Sequence, residues 1–180
     1  MTDLRLSTRL AHWALFAGLA ALVVLIKLLP LEQAAGGIPT PDLLLCLVLA
    51  WVVRRPDLLP VLLIAALFFL ADMMLMRPPG LWAGLVVLAT EWLRRRQRPL
   101  RAMPFPVECA MVGGVMTGLV LAHWGAQSLF FVQQPTLGQQ LLRVPVTLAA
   151  YPPVVGLLHY GLGVRKRPAI EGFGAGVARS

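Results

Sequence analysis

Apolar residues run through this chain in long stretches rather than in alternation, and most of the basic residues cluster in the gaps between them. Six such stretches predict six helices, at residues 10–29, 41–53, 58–76, 80–93, 105–124 and 144–164. The first, interrupted only by His12 and Lys27, is long enough at 1.5 Å per residue to cross a hydrocarbon layer of about 30 Å. It also exceeds the roughly 7–15 apolar residues of a signal-peptide core, and five more stretches follow, so it is expected to be a retained span. The second and fourth are short. The eleven uncharged residues 43–53 reach only about 16 Å, so these two helices must recruit flanking residues or cross where protein surrounds them.

Turn chemistry sets the boundaries. The tetrapeptide Pro-Asp-Leu-Leu occurs at Pro41 and again at Pro56, and predicts a helix start at each: a proline tolerated in the first turn, then a carboxylate facing the positive end of the helix. Arg77-Pro78-Pro79-Gly80 forces a tight reversal, which makes the third and fourth helices antiparallel neighbours. Residues 125–143 carry Gln127, Gln133, Gln134, Gln139 and Gln140 around the apolar residues 129–132, and predict a loop with a short interfacial element.

Composition fixes the solvent. The chain has 180 residues, 58% hydrophobic and 13% charged, whereas a soluble domain carries about 25% charge. A water-soluble globule of this size cannot hide so much apolar surface. The expected fold is an all-α integral membrane protein, a six-helix transmembrane bundle in one domain over residues 1–180, with no room for a folded soluble domain.

The net charge of +8 raises the question of nucleic acid, and the placement of the cations answers it. Six spans with a cytoplasmic N-terminus put Arg5, Arg9, Arg54, Arg55, Arg94, Arg95, Arg96, Arg98, Arg101, Arg165, Lys166, Arg167 and Arg179 on one side, thirteen of the sixteen Lys and Arg. That is the positive-inside pattern, with both termini inside and residues 165–180 as a basic cytoplasmic tail; no nucleic-acid partner is expected. Lys27, Arg77 and Arg143 are left near the opposite face.

Ionisable residues inside spans are the default functional candidates. Lys27, Asp42 and Asp72 lie toward the outer ends of their spans, and Asp72 is expected to pair with Lys27 or Arg77. Glu91 and Glu108 flank the arginine-rich loop from Arg94 to Arg101 and are expected to pair there. In the fifth span Ala110, Gly114, Gly118, Ala122 and Ala126 recur every four residues, a small-residue stripe that lets another backbone approach. Its expected neighbour is a helix of the same chain, with a partner's transmembrane helix as the alternative. Catalytic chemistry has little support. Only Ser7, Ser128 and Ser180 supply serine hydroxyls, and His12, His123 and His159 sit in three different spans without metal-ligand spacing. Cys46 and Cys109 fall in apolar runs and read as small core residues. No enzyme activity, metal or cofactor is expected.

One combination of residues carries a family resemblance. Pro41-Asp42-Leu43 opening a short second span, Trp51 before Arg54-Arg55-Pro56, Asp72 in the third span and Pro79-Gly80-Leu81 opening the fourth resemble MreD, the rod shape-determining membrane protein family of bacteria. The likeness covers about 50 residues, extended by Leu29-Pro30-Leu31. Where the family pattern has a glycine-containing turn directly after the third span, this chain has Arg77-Pro78-Pro79 first. The resemblance implies a non-enzymatic scaffold subunit of the bacterial inner membrane, in the elongation machinery that directs lateral peptidoglycan synthesis. Its implied partners are MreC, the MreB filament, the glycan polymerase RodA and a class B penicillin-binding protein. Anionic lipids are expected at the cytoplasmic basic loops. MreD is also similar in fold to the substrate-binding subunits of energy-coupling-factor vitamin transporters, which supplies an alternative reading. That alternative needs an outward cavity lined by convergent polar groups, and the outer half offers few beyond Asp42, Asp72, His123 and the glutamine-rich segment.

Overall fold

The structure is a computed structural model that describes residues 2–28, 40–76, 78–96, 103–129 and 136–161. Among them the chain is all-helical: α1 (Thr2–Leu28), α2 (Leu43–Arg54), α3 (Val61–Met74), α4 (Leu81–Arg95), α5 (Phe105–Leu129) and α6 (Leu137–Gly156), the last continued by a π-helical turn at Leu157–Gly161. Three segments are apolar and long enough to cross a membrane, at Leu10–Leu28, Phe105–Leu129 and Leu137–Tyr160. Leu22, Leu25, Leu62, Leu70, Leu88 and Leu142 are exposed on the outer surface. Helices satisfy their own backbone groups, and leucine outside suits hydrocarbon, so the chain is a multi-pass membrane protein.

The short second helix is the centre of the bundle. Every residue from Leu44 to Arg54 is buried, as expected of a helix apolar on all sides. It packs against α1, α4 and α6. Its 12 residues reach about 18 Å, well short of a hydrocarbon layer, but protein rather than lipid surrounds them. Trp51 is fully buried there and meets Phe16 of α1 edge-on, with ring centroids 5.4 Å apart.

The two Pro-Asp-Leu-Leu segments differ. Asp42 is the N-cap of α2, with Pro41 just outside, and its Oδ1 accepts from the Leu45 backbone N–H at 3.3 Å. Pro56 instead opens a 3₁₀ turn, Pro56–Leu58, and α3 begins only at Val61. The expectation of a helix starting at the second tetrapeptide is corrected by Pro60, which holds the preceding Leu59 in an extended conformation and so delays the helix. Trp13 of α1 fastens this connector by donating to the Leu58 carbonyl at 2.6 Å.

α3 and α4 form the most extensive helix pair, joined through Pro78, Pro79 and Gly80. Gly80 takes φ +87°, a left-handed conformation that favours glycine. As a glycine N-cap it has no side chain to satisfy the first turn of α4, and Asp72 of α3 does so instead: its Oδ2 accepts from the Ala83 N–H at 3.1 Å. Asp72 is 1% exposed. Replacing Asp72 with Ala leaves that buried N–H without its acceptor and is expected to cost about 1–3 kcal/mol, with Asp72→Asn costing less. Thermal unfolding of the two variants in detergent checks the order; equal losses would show that a neutral acceptor of the same volume does not hold the first turn of α4.

The glutamine-rich segment also departs from expectation. Residues 125–129 continue α5 and residues 137–143 begin α6, so most of the expected loop is helix. Pro145 lies inside α6 rather than at its start. Packed membrane helices tolerate such prolines because neighbours re-satisfy the freed carbonyl. Arg77, Arg98, Arg101, the segment 130–135 and the tail 165–180 lie outside the described residues.

Candidate functional site

Three features stand out: a buried charge cluster at the basic end of the bundle, a polar cavity at the opposite end and an apolar groove on its side.

The cluster joins α2, α5 and α6. Arg54 Nη1 donates to Glu108 Oε1 at 3.1 Å and to the Ala50 carbonyl at 3.2 Å, and the Tyr151 hydroxyl donates to the same Glu108 oxygen at 2.7 Å. Arg54 is 5% exposed; Glu108 and Tyr151 are fully buried. Both charges are therefore removed from solvent, and each depends on the other. Arg54 is thus a partner of Glu108 that the sequence did not suggest; Arg98 and Arg101 of the arginine-rich loop, its expected partners, lie outside the described residues. The expectation for Glu91 fares differently: its Oε1 stands 3.2 Å from Arg94 Nε, one helical turn away, within the arginine-rich stretch. Arg94 also donates to the Leu59 carbonyl, fastening α4 to the α2–α3 connector. Arg55 terminates α2, its N–H donating to the Trp51 carbonyl at 2.7 Å.

At the other end, the C-terminal ends of α1, α3 and α5 meet the N-terminal ends of α2, α4 and α6 around a cavity of about 390 Å³. Lys27 does not pair with Asp72; it forms an ion pair with Asp42 at 2.9 Å. Proximity decides this, since Asp42 caps α2 beside the end of α1 while Asp72 is taken up by α4. The Asp42 backbone N–H donates to Thr147 Oγ1 at 3.1 Å, and Cys46 Sγ donates to the Thr147 carbonyl at 3.2 Å. One polar network thus ties α1, α2 and α6 together along a cavity wall. Trp82 and His123 stand edge-to-face across from it, centroids 5.1 Å apart, with Gln127, Gln140 and Arg143 completing the polar lining.

Sequence reasoning counted too few polar groups here because it placed Gln140 and Arg143 in a loop. Helical spacing carried the signal: Thr136, Gln140, Arg143 and Thr147 are at i, i+4, i+7 and i+11, one face of a helix. On α5, Met116, Val120, His123 and Gln127 share the same spacing and line the same cavity.

Among the described residues, no helix packs closely onto the small-residue stripe. Ala110, Gly114, Gly118 and Ala122 are exposed, and a Cβ added at Gly114 or Gly118 would meet nothing within 4 Å. The close approach to α6 runs through the adjacent Gly113, where an added Cβ would lie 3.1 Å from Leu148 Cδ2. The stripe instead floors a groove of about 470 Å³ between α4 and α5, walled by Leu85, Leu88, Trp92 and Met111. At its basic end the Arg96 guanidinium covers the Trp92 ring at 4.3 Å.

Among the described residues no group of His, Cys, Asp and Glu is arranged to hold a metal ion. Compared with known proteins, the chain matches no family model, no curated protein and no solved structure.

Proposed function

We propose that the protein is a non-enzymatic scaffold subunit of the bacterial inner membrane, of the MreD type, that organises lateral peptidoglycan synthesis and cell shape through MreC. The observation that carries this reading is the apolar groove between α4 and α5, floored by the outward-facing Ala110, Gly114, Gly118 and Ala122. Helix association in lipid depends on close packing, and a small-residue stripe gives a second helix the approach it needs. The occupant in this reading is the transmembrane helix of MreC, with MreB, RodA and a class B penicillin-binding protein reached through the same complex. The bundle crosses the membrane six times, both termini are cytoplasmic, and the end bearing Arg54, Arg94, Arg95 and Arg96 faces the cytoplasm, where anionic lipid can hold it.

The residues behind the resemblance have structural work that fits a scaffold: Asp42 and Asp72 cap helices, Gly80 turns the chain and Arg54 is buried in an ion pair. Depletion in the native host is expected to widen or round rod-shaped cells, and MreC is expected to co-purify with the tagged protein. Normal shape together with no MreC recovery counts against the reading.

The 390 Å³ cavity favours a second reading, a substrate-binding subunit of an energy-coupling-factor type transporter. Calorimetry of the purified protein against a vitamin panel separates the two, since micromolar binding of one vitamin belongs only to the second.

A further inference from the structure

The cavity at the Lys27 end is a charged site whose chemistry selects its ligand, whichever partner reading holds. Lys27 is neutralised by Asp42 at 2.9 Å. Arg143 reaches the same cavity, and among the described residues no carboxylate lies within ion-pair distance of it. Among the described residues the lining therefore carries one cation in excess. Around it stand neutral side chains that donate hydrogen bonds, the amides of Gln127 and Gln140 and the hydroxyl of Thr147. The lining also includes the apolar side chains of Leu45, Leu75, Met116 and Val120. A volume of 390 Å³ lies toward the small end of ligand sites, which span roughly 300–1,000 Å³.

We infer that this cavity binds a small amphipathic anion bearing a phosphate group, with Arg143 as its charge partner, the two glutamines as orienting donors and the apolar side chains against its carbon skeleton. A guanidinium suits phosphate because its fork presents two parallel N–H donors to two oxygens. A polar headgroup with a hydrocarbon stub also matches a cavity at the end of a membrane bundle lined by both polar and apolar side chains. The phosphate can come from the headgroup of an anionic phospholipid or from a free phosphate monoester, and the site is distinct from the basic loops at the opposite end.

The test uses the full chain purified in a phosphate-free non-ionic detergent and titrated in a calorimeter with three probes: glycerol 3-phosphate, dihexanoyl phosphatidylglycerol and dihexanoyl phosphatidylcholine. Saturable binding of at least one anionic probe is expected, with the neutral choline lipid at least tenfold weaker. Arg143→Gln should weaken the anionic probe tenfold or more, and Arg143→Lys, which keeps the charge but not the fork, should fall between Arg143→Gln and the wild type. Arg143 is exposed, so unchanged thermal midpoints are expected for both variants. Trp82 lines the cavity, so the fluorescence change on binding should be lost in Trp82→Phe. Binding of the lipid alone identifies a headgroup, and binding of glycerol 3-phosphate identifies a soluble ester; either supports the site. No saturable binding of either anion, equal binding of the choline lipid, or unchanged affinity in Arg143→Gln overturns it.

Discussion

Glu108→Ala is expected to be the most damaging single substitution in the molecule, lowering stability by about 3–5 kcal/mol or preventing accumulation in the membrane. The change removes the one acceptor shared by the Arg54 guanidinium and the Tyr151 hydroxyl, at 3.1 Å and 2.7 Å. Arg54 would remain with a full charge at 5% exposure, held by the Ala50 carbonyl at 3.2 Å. A carbonyl offers a dipole where a carboxylate offered a charge, so most of the desolvation cost returns uncompensated. Glu108→Gln keeps an acceptor and should fall between wild type and Glu108→Ala. The double variant Arg54→Met, Glu108→Met removes both charges and should recover most of the loss, because replacing a buried pair with packed apolar groups is often neutral. Thermal unfolding in detergent reads all three. A loss below about 1 kcal/mol for Glu108→Ala would mean that water reaches Arg54, since exposed pairs are worth only about that much.

Bulky residues in the groove are expected to act oppositely, on association and not on folding. Gly114→Leu together with Gly118→Leu fills the floor of the α4–α5 groove, and an added Cβ at either position meets nothing within 4 Å. The bundle itself has room for the change, so the thermal midpoint should stay near the wild-type value apart from altered detergent contact. A helix that needs close backbone approach along that stripe is displaced by the width of a leucine side chain. Co-purification of MreC is expected to fall at least tenfold, with cell widening when the variant replaces the native copy. Gly113→Leu is the contrasting control: it faces Leu148 at 3.1 Å and should destabilise the α5–α6 contact itself. Full MreC recovery with the Gly114/Gly118 variant would move the partner contact to another face.

How much of this was readable beforehand depended on whether a residue's partner was local. The six apolar stretches and the Gly80 reversal rest on neighbours within a few positions, and the pattern found them. Arg54 and Glu108 are 54 positions apart, and nothing in either neighbourhood announces the other. An arginine followed by Arg55-Pro56 reads as a loop charge, and only the inward face of α2 makes it a core residue. Asp72 illustrates the same limit: its acceptor role depends on Gly80 having no side chain, a vacancy visible only once α3 and α4 are packed. The polar cavity face was a different kind of miss. Gln140, Arg143 and Thr147 have helical spacing, but the apolar run predicts a sixth helix only from residue 144, which leaves Gln140 and Arg143 in a loop. The direction of the small-residue stripe does not follow from spacing alone, since the adjacent Gly113 and Gly114 differ: a Cβ at Gly113 would meet Leu148, and one at Gly114 would meet nothing within 4 Å.

The scaffold reading requires the Arg94 end of the bundle to face the cytoplasm and the Lys27 cavity to face outward. Single cysteines at Arg95 and Gln139, both exposed, in a Cys109→Ala background test this in intact spheroplasts, because Cys46 is buried. A membrane-impermeant maleimide added outside should label the Gln139 position and spare Arg95 until the cells are lysed. Labelling of Arg95 in intact cells with Gln139 protected would contradict the orientation, and with it the cytoplasmic placement of the arginines on which the proposed function stands.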